Sequence, residues 1–446
     1  MKLTFDRGSI LIRGNIRVPN STWDERSKSY RAMALCYKDI IDYLETSRID
    51  FNDHVMSLIP CPDLRSSIAL RDYQKQAMDA WIANDKCGIV VLPTGSGKTV
   101  LGIQAISLLN TPTIVIAPTL DLVNQWHSRL EEEFKLEVGL LGGGARDIKA
   151  LTVSTYDSAY IHADRIGNRF GLIIFDEVHH LPAEGFRNIA EMFASPNRLG
   201  LTATFEREDG LHTELNRLVG GKVFEKRVKD LAGYYLSPFR LEKVVVEMTD
   251  VEKDDYEKNQ RIFSDYLLKS NLKIRGPADF QKLIMRSGRD PAARAALLAR
   301  NRARDISFNS VSKIGKLSEI LKEHTDSRIF IFTEHNKLVH KISKKFLIPS
   351  ITYRTAGKER TEILNRFRSG AYKAVVTSKV LDEGIDVPDA DVGIILSGTG
   401  SERAFVQRLG RILRKVEGKE AVLYEIVSAR TSETNIASRR KRPLRY

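Results

Sequence analysis

The seven residues Pro93-Thr94-Gly95-Ser96-Gly97-Lys98-Thr99 constrain this chain more than any other stretch of it. They follow the apolar run Gly88-Ile89-Val90-Val91-Leu92 and precede Val100-Leu101-Gly102-Ile103-Gln104-Ala105-Ile106, the order of a buried strand, a glycine loop and a helix. Gly95 and Gly97 let the backbone curl until successive N–H groups point inward as an anion nest, and the helix adds the positive end of its dipole. A polyphosphate belongs in such a turn. Lys98 is set to reach its β and γ phosphates, and the Thr99 hydroxyl to join the coordination of a Mg²⁺ ion, which otherwise keeps several of its waters. The strict G-x-x-x-x-G-K-[ST] pattern asks for glycine at position 92, where the chain has leucine. The geometry of the turn does not depend on that residue.

At 446 residues the chain exceeds one ordinary core, so about two to four domains are expected. Cys36, Cys61 and Cys87 are scattered and odd in number, which suits a reducing interior and rules out a four-thiolate zinc or iron–sulfur cluster. They read as buried bystanders. No apolar run reaches the length of a membrane span, and the start, Met1-Lys2-Leu3-Thr4-Phe5-Asp6-Arg7, carries an acid where a signal peptide needs apolar residues. No membrane partner is expected, and the reading is of a soluble, intracellular, cytoplasmic protein. The net charge of +13 favours a polyanionic partner such as nucleic acid. From Ser401 to Tyr446 twelve Lys or Arg stand against five Asp or Glu, over half of the whole excess.

The pattern along the chain predicts four parts. Residues 1–64 read as a small α/β unit, with short segments around Ile10-Leu11-Ile12 and Ile16-Arg17-Val18 and a helix from Tyr30 to about Thr46. Residues 65–234 alternate apolar strands (Gly88 to Leu92, Thr113 to Ala117, Leu151 to Ser154, Leu172 to Phe175, Arg198 to Thr202) with helical patterns, the signature of a parallel sheet with crossover helices. Residues 250–309 are helical and strongly charged, as in Tyr256 to Leu268 and Pro291 to Ile306, and read as an insertion. Residues 235–249 and 310–446 form a second α/β domain, with strands at Arg328 to Thr333, Ser350 to Tyr353, Ala374 to Thr377, Val392 to Leu396 and Ala421 to Ile426.

Two further clusters carry chemistry. In Phe170-Gly171-Leu172-Ile173-Ile174-Phe175-Asp176-Glu177-Val178-His179 a buried strand delivers two carboxylates at its carboxyl end, where open α/β sheets bind ligands. Asp176 is suited to hold the Mg²⁺ that Thr99 also ligates, and Glu177 to orient and deprotonate an attacking water. In Gln407-Arg408-Leu409-Gly410-Arg411-Ile412-Leu413-Arg414, three arginines alone would suit a solvated helix face. Beside a phosphate site they have another use. A phosphoryl transfer state spreads negative charge over the γ oxygens, and arginines from a neighbouring domain neutralise it. Arg411 and Arg414 stand at i and i+3 on one helix face, and would meet ATP when the domains close.

The order Leu70-Arg71-Asp72-Tyr73-Gln74, Pro93 to Thr99, Ala117-Pro118-Thr119, Asp176-Glu177-Val178-His179, Thr202-Ala203-Thr204, Val380 to Pro388 and Gln407 to Arg414 resembles the motif series of superfamily 2 helicases. Asp-Glu-Val-His at 176–179, glutamine at 407 and Arg207-Glu208-Asp209 after Thr-Ala-Thr-Phe resemble the XPB group, in its short archaeal form. Leu92 is unremarkable there. The resemblance implies two RecA-like parallel-sheet motor domains with a small N-terminal domain and a thumb-like helical insertion, working with ATP and Mg²⁺. It implies a 3′-to-5′ motor on DNA that opens duplex in excision repair or promoter melting, is associated with the nucleoid, and in archaeal relatives carries a nuclease partner.

By the same resemblance, Arg71 and Gln74 recognise adenine, Gly384 and Asp386 hold the ribose, and Thr202, Thr204 and Gln407 couple hydrolysis to domain movement. Strand contacts fall to Thr119, Thr155, Thr333 and Thr377, whose hydroxyls suit phosphates and do not read bases. Arg207, Glu208 and Asp209 form a strand-separating wedge. The insertion is a thumb, with Arg286, Arg289, Arg294, Arg300, Arg302 and Arg304 for phosphates, and residues 1–64 a damage-recognition-like domain whose Phe5, Trp23 and Tyr30 suit either a core or a base-stacking platform. Alternatives remain open. A translocase that moves on duplex without separating strands fits the same ATP site, and so does a nucleotide-gated scaffold for a nuclease, though the presence of Lys98, Glu177, Arg411 and Arg414 together speaks for turnover.

Overall fold

The computed structural model describes residues 1–14, 16–207, 209–231, 234–235, 239–274, 276–378, 390–397, 421–434 and 437. The chain divides into two compact units, the first running Met1–Leu231 and the second holding the described residues from Tyr234 onward.

The first unit opens with β1 (Lys2–Asp6), β2 (Ser9–Arg13), β3 (Ser21–Asp24), β4 (Ser29–Met33), α1 (Tyr37–Thr46) and β5 (Asn52–His54), in a sheet ordered β3-β4-β2-β1-β5. Leu3, Ile10, Ile12 and Ala32 meet Ile40 and Leu44, which stand at i and i+4 on the inner face of α1. Two expectations are corrected here. Tyr30 to Met33 is strand, because Tyr30 lies opposite Ile12 and Trp23 in a three-strand ladder, so the helix begins only at Tyr37. Ile16-Arg17-Val18 forms no strand and lies in the β2–β3 connection, with Val18 buried and Ile16 exposed.

There follow α2 (Asp72–Ala83), β6 (Cys87–Val91), α3 (Lys98–Leu109), β7 (Thr113–Ala117), α4 (Leu120–Phe134), β8 (Gly139–Gly142), β9 (Ala145–Arg146), β10 (Leu151–Thr155), α5 (Tyr156–Ile166), β11 (Leu172–Asp176), α6 (Arg187–Met192), β12 (Asn197–Thr202), α7 (Leu215–Val219), β13 (Lys222–Glu225) and α8 (Val228–Leu231). The sheet runs β13-β6-β12-β11-β7-β10-β8-β9, parallel throughout except for the β8–β9 hairpin. Every residue of β7 and β11 is buried, as a sheet covered on both faces requires. Thr202 lies opposite Val91, Asp176 opposite Leu201 and Thr155 opposite Ala117, so these strands end along one edge. Between β6 and its successor β7 lie β12 and β11, so the connection through α3 packs over both of these strands. At the opposite end, buried Arg198 pins the layer: its guanidinium donates to the carbonyls of Ala190, Leu218 and Phe193 at 2.9, 3.1 and 2.5 Å, and burial pushes its pKa down to about 10.

The second unit contains β14 (Phe239–Val246), α9 (Asp250–Lys269), α10 (Pro277–Ser287), α11 (Pro291–Phe308), α12 (Val311–Glu323), β15 (Ile329–Phe332), α13 (Asn336–Phe346), β16 (Ser350–Ile351), α14 (Gly357–Arg368), β17 (Ala374–Thr377), β18 (Val392–Ile395) and β19 (Ala421–Ser428). Its sheet, β14-β19-β18-β15-β17-β16, is wholly parallel. Helices α9 to α11 pack together as a charged helical insertion between β14 and α12, with Ala293, Ala296, Ala299 and Ala303 of α11 turned inward. No helix among the described residues is long and apolar enough to cross a membrane.

Candidate functional site

The glycine loop leaves β6 at Val91 and enters α3 at Lys98. Gly95 and Gly97 take φ of 82° and 83°, a left-handed conformation that strains any other residue. A Cβ on Gly97 would also stand 2.6 Å from Gln74 Nε2. The loop is braced from α2: Tyr73 OH donates to the Ser96 carbonyl at 2.5 Å, and Gln74 Nε2 to the Ser96 and Gly97 carbonyls at 3.0 and 3.4 Å. The other end of the Gln74 amide accepts the Arg71 N–H at 2.9 Å, so both residues expected at adenine sit at the head of α2 beside the loop. Lys98 Nζ donates to the Leu92 carbonyl at 3.3 Å and lies 3.8 Å from Glu177 Oε1. Thr94 Oγ1 is buried with no hydrogen-bond partner among the described residues. Left-handed glycines, a poised lysine and an orphaned hydroxyl fit a polyphosphate, while the oxygen donors Thr99 and Asp176 fit Mg²⁺.

Asp176 ends β11 and is buried. Trp126 Nε1–H donates to its Oδ2 at 2.8 Å, and the Glu177 N–H to its Oδ1 at 3.0 Å. Burial foremost, then the charge of Glu177, pushes the Asp176 pKa up to about 6, while Lys98 and the Trp126 bond pull the other way. Glu177 stands at φ 48°, a strained conformation for a carboxylate residue and one that recurs at functional sites. Its Oε2 lies 3.3 Å from His179 Nδ1 and 3.4 Å from Thr202 Oγ1, and the latter two atoms are 2.9 Å apart. Thr202 Oγ1 also lies 2.8 Å from the Thr204 carbonyl, so the hydroxyl at the end of β12 joins the carboxylate to the next loop. The Thr204 hydroxyl is buried without a partner among the described residues.

One and two strands beyond β11, Thr119 caps α4 by accepting the Leu122 N–H, and Thr155 caps α5 by accepting the Ser158 N–H. A glycine turn lies against both. A Cβ on Gly142 would stand 3.0 Å from Thr155 Cγ2, and one on Gly143 3.1 Å from Leu120 Cδ2. Gly142-Gly143-Gly144 escaped the sequence reading, although the run of three glycines was its signal; all three take positive φ. Arg207 grips Asp209 through Nε and Nη2 at 2.9 and 2.6 Å and donates through Nη1 to the His179 carbonyl. That fork holds the Asp209 carboxyl down to about 2. Glu208 lies outside the described residues.

In the second unit Thr333 and Thr377 are fully buried, the first 2.9 Å from Ser397 Oγ and the second donating to the Ser378 carbonyl at 3.0 Å. Their hydroxyls fix strand ends in this state. Arg304 holds Glu334, and Arg300 lies 4.2 Å over the Phe280 ring, while Arg286, Arg289, Arg294 and Arg302 are exposed. Gly384, Asp386, Gln407, Arg411 and Arg414 lie outside the described residues.

Three family models match the chain: the xeroderma pigmentosum group B helicase damage recognition domain over residues 3–55, the type III restriction enzyme res subunit over 67–207, and the helicase conserved C-terminal domain over 312–416. The DNA 3′-5′ translocase XPB2 of Sulfurisphaera tokodaii is 44% identical over 431 residues, 97% of this chain and 98% of that protein. The chain belongs to the XPB group of superfamily 2 helicases. The DNA 3′-5′ helicase XPB of Mycobacterium tuberculosis is 31% identical, covering 84% of this chain and 63% of that protein. For the XPB1 subunit of the general transcription and DNA repair factor IIH of Arabidopsis thaliana the values are 29%, 91% and 53%, so the chain spans 53% to 63% of these longer XPB proteins. The crystal structure of the Pyrococcus furiosus Hef helicase domain matches with a TM-score of 0.55 at 21% identity, over 83% of this chain and 97% of that one, a shared fold. The XPB-group architecture is thus α/β, with RecA-like parallel sheets and a small N-terminal domain.

Proposed function

We propose that this chain is a DNA-dependent ATPase that moves 3′-to-5′ on DNA and opens duplex, in excision repair or promoter melting. The observation that carries the reading is the convergence of Lys98, Glu177 and Asp176 at the carboxyl ends of β6 and β11, which flank β12 in one sheet, with Lys98 3.8 Å from Glu177, in a chain of the XPB group. The loop N–H groups bind the phosphates, and Lys98 exchanges the Leu92 carbonyl and Glu177 for the γ phosphate. That exchange frees the Glu177 carboxylate to orient the attacking water and take its proton. Thr99 and Asp176 would hold Mg²⁺, which when bound neutralises charge on the β and γ oxygens. Arg71 and Gln74 suit the adenine, and Gly384 and Asp386 the ribose. Arg411 and Arg414 would neutralise the transferring phosphoryl group, and Thr202, Thr204 and Gln407 relay its loss to the DNA-binding loops.

The same reading takes residues 1–64 as a damage-recognition-like domain, 65–234 and 235–249 with 310–446 as the two motor domains, and 250–309 as a thumb offering Arg286, Arg289, Arg294 and Arg302 to phosphates. Translocation without strand separation is the second reading, favoured by the name of the Sulfurisphaera relative, a translocase. ATP hydrolysis and strand separation measured side by side on single-stranded, forked, bubble and blunt DNA decide between them. Hydrolysis stimulated by DNA with strand separation on forks supports the first reading; stimulation without separation supports the second. No stimulation by any DNA overturns both. A candidate nuclease added to the same reactions tests the expected partner.

A further inference from the structure

We infer that Trp126 is a positioning residue that holds Asp176 in place and ties it to the DNA-facing end of α4; the inference rests on the function proposed above. Trp126 is buried, on the inner stripe of α4 that it shares with Val123 and Leu130. Three observations meet at its ring. Its N–H donates to Asp176 Oδ2 at 2.8 Å, so the carboxylate is held from two sides, by the indole and by the Glu177 N–H. Its far edge presses on α3 at Gly102, where a Cβ would stand 2.6 Å from Trp126 Cη2. Gly102 lies one turn beyond Thr99 on the same helix, so the indole touches the supports of both oxygen donors of the proposed Mg²⁺ site.

Helix α4 is also the helix capped by Thr119, and its first residue, Leu120, lies under the glycine turn at Gly143. Trp126 is two turns from that cap, close enough that a shift of the cap moves the indole as part of one rigid body. A phenylalanine would fill most of the same space. Only tryptophan fills it and also donates a hydrogen bond to a buried carboxylate. Nothing in the motif series assigns this residue, yet from the helix that begins at a proposed phosphate contact its side chain bonds Asp176, the carboxylate proposed to hold Mg²⁺.

The test uses the full chain with Trp126→Phe, which keeps the packing and deletes the N–H, and Gly102→Ala, which displaces the ring without altering it. A fluorescent ATP analogue is titrated in EDTA and at increasing Mg²⁺, and ATP hydrolysis is measured with and without forked DNA. Trp126→Phe is expected to bind the analogue as wild type does in EDTA. Its Mg²⁺ requirement for tight binding should rise about ten- to a hundredfold, the usual effect of removing a group that orients a metal ligand. The ratio of DNA-stimulated to unstimulated hydrolysis should fall, and Gly102→Ala should shift both in the same direction. If Trp126→Phe does not fold, Gly102→Ala carries the test alone. An unchanged Mg²⁺ requirement overturns the positioning role, and a raised requirement with DNA stimulation intact overturns the link to α4. Absence of stimulation in the wild type overturns the proposed motor instead, while the Mg²⁺ titration still reads Trp126.

Discussion

The guanidinium of Arg207 donates to the main-chain carbonyl of His179, fastening the loop after Thr202-Ala203-Thr204-Phe205 to the turn that follows Asp176 and Glu177. Its remaining nitrogens fork onto Asp209. A free wedge could be removed without touching hydrolysis; a loop fastened to the turn beside Glu177, the proposed base, cannot. Arg207→Ala should therefore lower strand separation and DNA-stimulated ATP hydrolysis together, each by about tenfold, the scale of a hydrogen bond lost from a partly buried carbonyl. Arg207→Lys should restore little, because an ammonium cannot span the Asp209 fork and the carbonyl at once. Hydrolysis at the wild-type rate in Arg207→Ala would return this loop to a purely strand-facing role.

Lys98→Ala removes the cation that faces both Glu177 and the Leu92 carbonyl. DNA-stimulated hydrolysis should vanish, while DNA binding at low salt persists, since Lys98 lies at the nucleotide loop and not at the capped helix ends of α4 and α5. The residual DNA affinity should still fall steeply as salt rises, because phosphate neutralisation releases counterions. Titration of labelled forked DNA at several salt concentrations, beside a phosphate-release assay, reads both. Retained hydrolysis would remove Lys98 from the site.

The phosphate loop and the carboxylate pair were legible because each is written in contiguous residues at a strand end. Thr113–Ala117 and Ala374–Thr377 were legible for a similar reason: short β-branched runs bounded by turns leave little choice. Tyr30 to Met33 misled because Tyr-Arg-Ala-Met-Ala-Leu favours helix locally, and only pairing with β2 and β3 overrides that preference. Strand β14 went unread in its charged surroundings, since its partner β19 lies far along the chain. The Trp126 bond to Asp176 and the Arg207 bond to the His179 carbonyl were invisible in the sequence. Their partners, Asp176 and His179, are distant residues that only the folded sheet brings within reach.

Lys313 and Glu433 form a buried ion pair at 2.6 Å, with Lys313 also donating to the Leu396 carbonyl and Glu433 accepting the Ser428 N–H. The pair joins the start of α12 to the turn after β19 and to the end of β18. Removing one partner leaves a charge without solvent, so Glu433→Gln should cost about 3–5 kcal/mol in the unfolding of the second unit. The double change Lys313→Met with Glu433→Leu should recover most of that loss, because desolvating the pair itself costs several kcal/mol. Urea unfolding followed by circular dichroism reads the difference. Equal midpoints for Glu433→Gln and wild type would mean that water reaches the pair.

Asp176, pushed up to about 6 by burial and the neighbouring Glu177 charge, sets a pH limit on the site. An unfolded aspartate titrates near 3.9, so between about pH 4 and pH 6 the folded chain without Mg²⁺ holds a proton that the unfolded chain has released. The stability this carboxyl contributes is full below about pH 4 and is lost as pH rises through 6. A cation bound by Asp176 must displace that same proton. The Mg²⁺ concentration needed for tight binding of the ATP analogue should therefore be flat above about pH 6.5 and rise about tenfold per unit of pH below 6. For the same reason, saturating Mg²⁺ and nucleotide should raise the melting temperature more at about pH 7 than at about pH 5. Titrations at three pH values measure the slope; a Mg²⁺ requirement that stays level down to about pH 5 would mean that Asp176 ionises as an ordinary carboxylate.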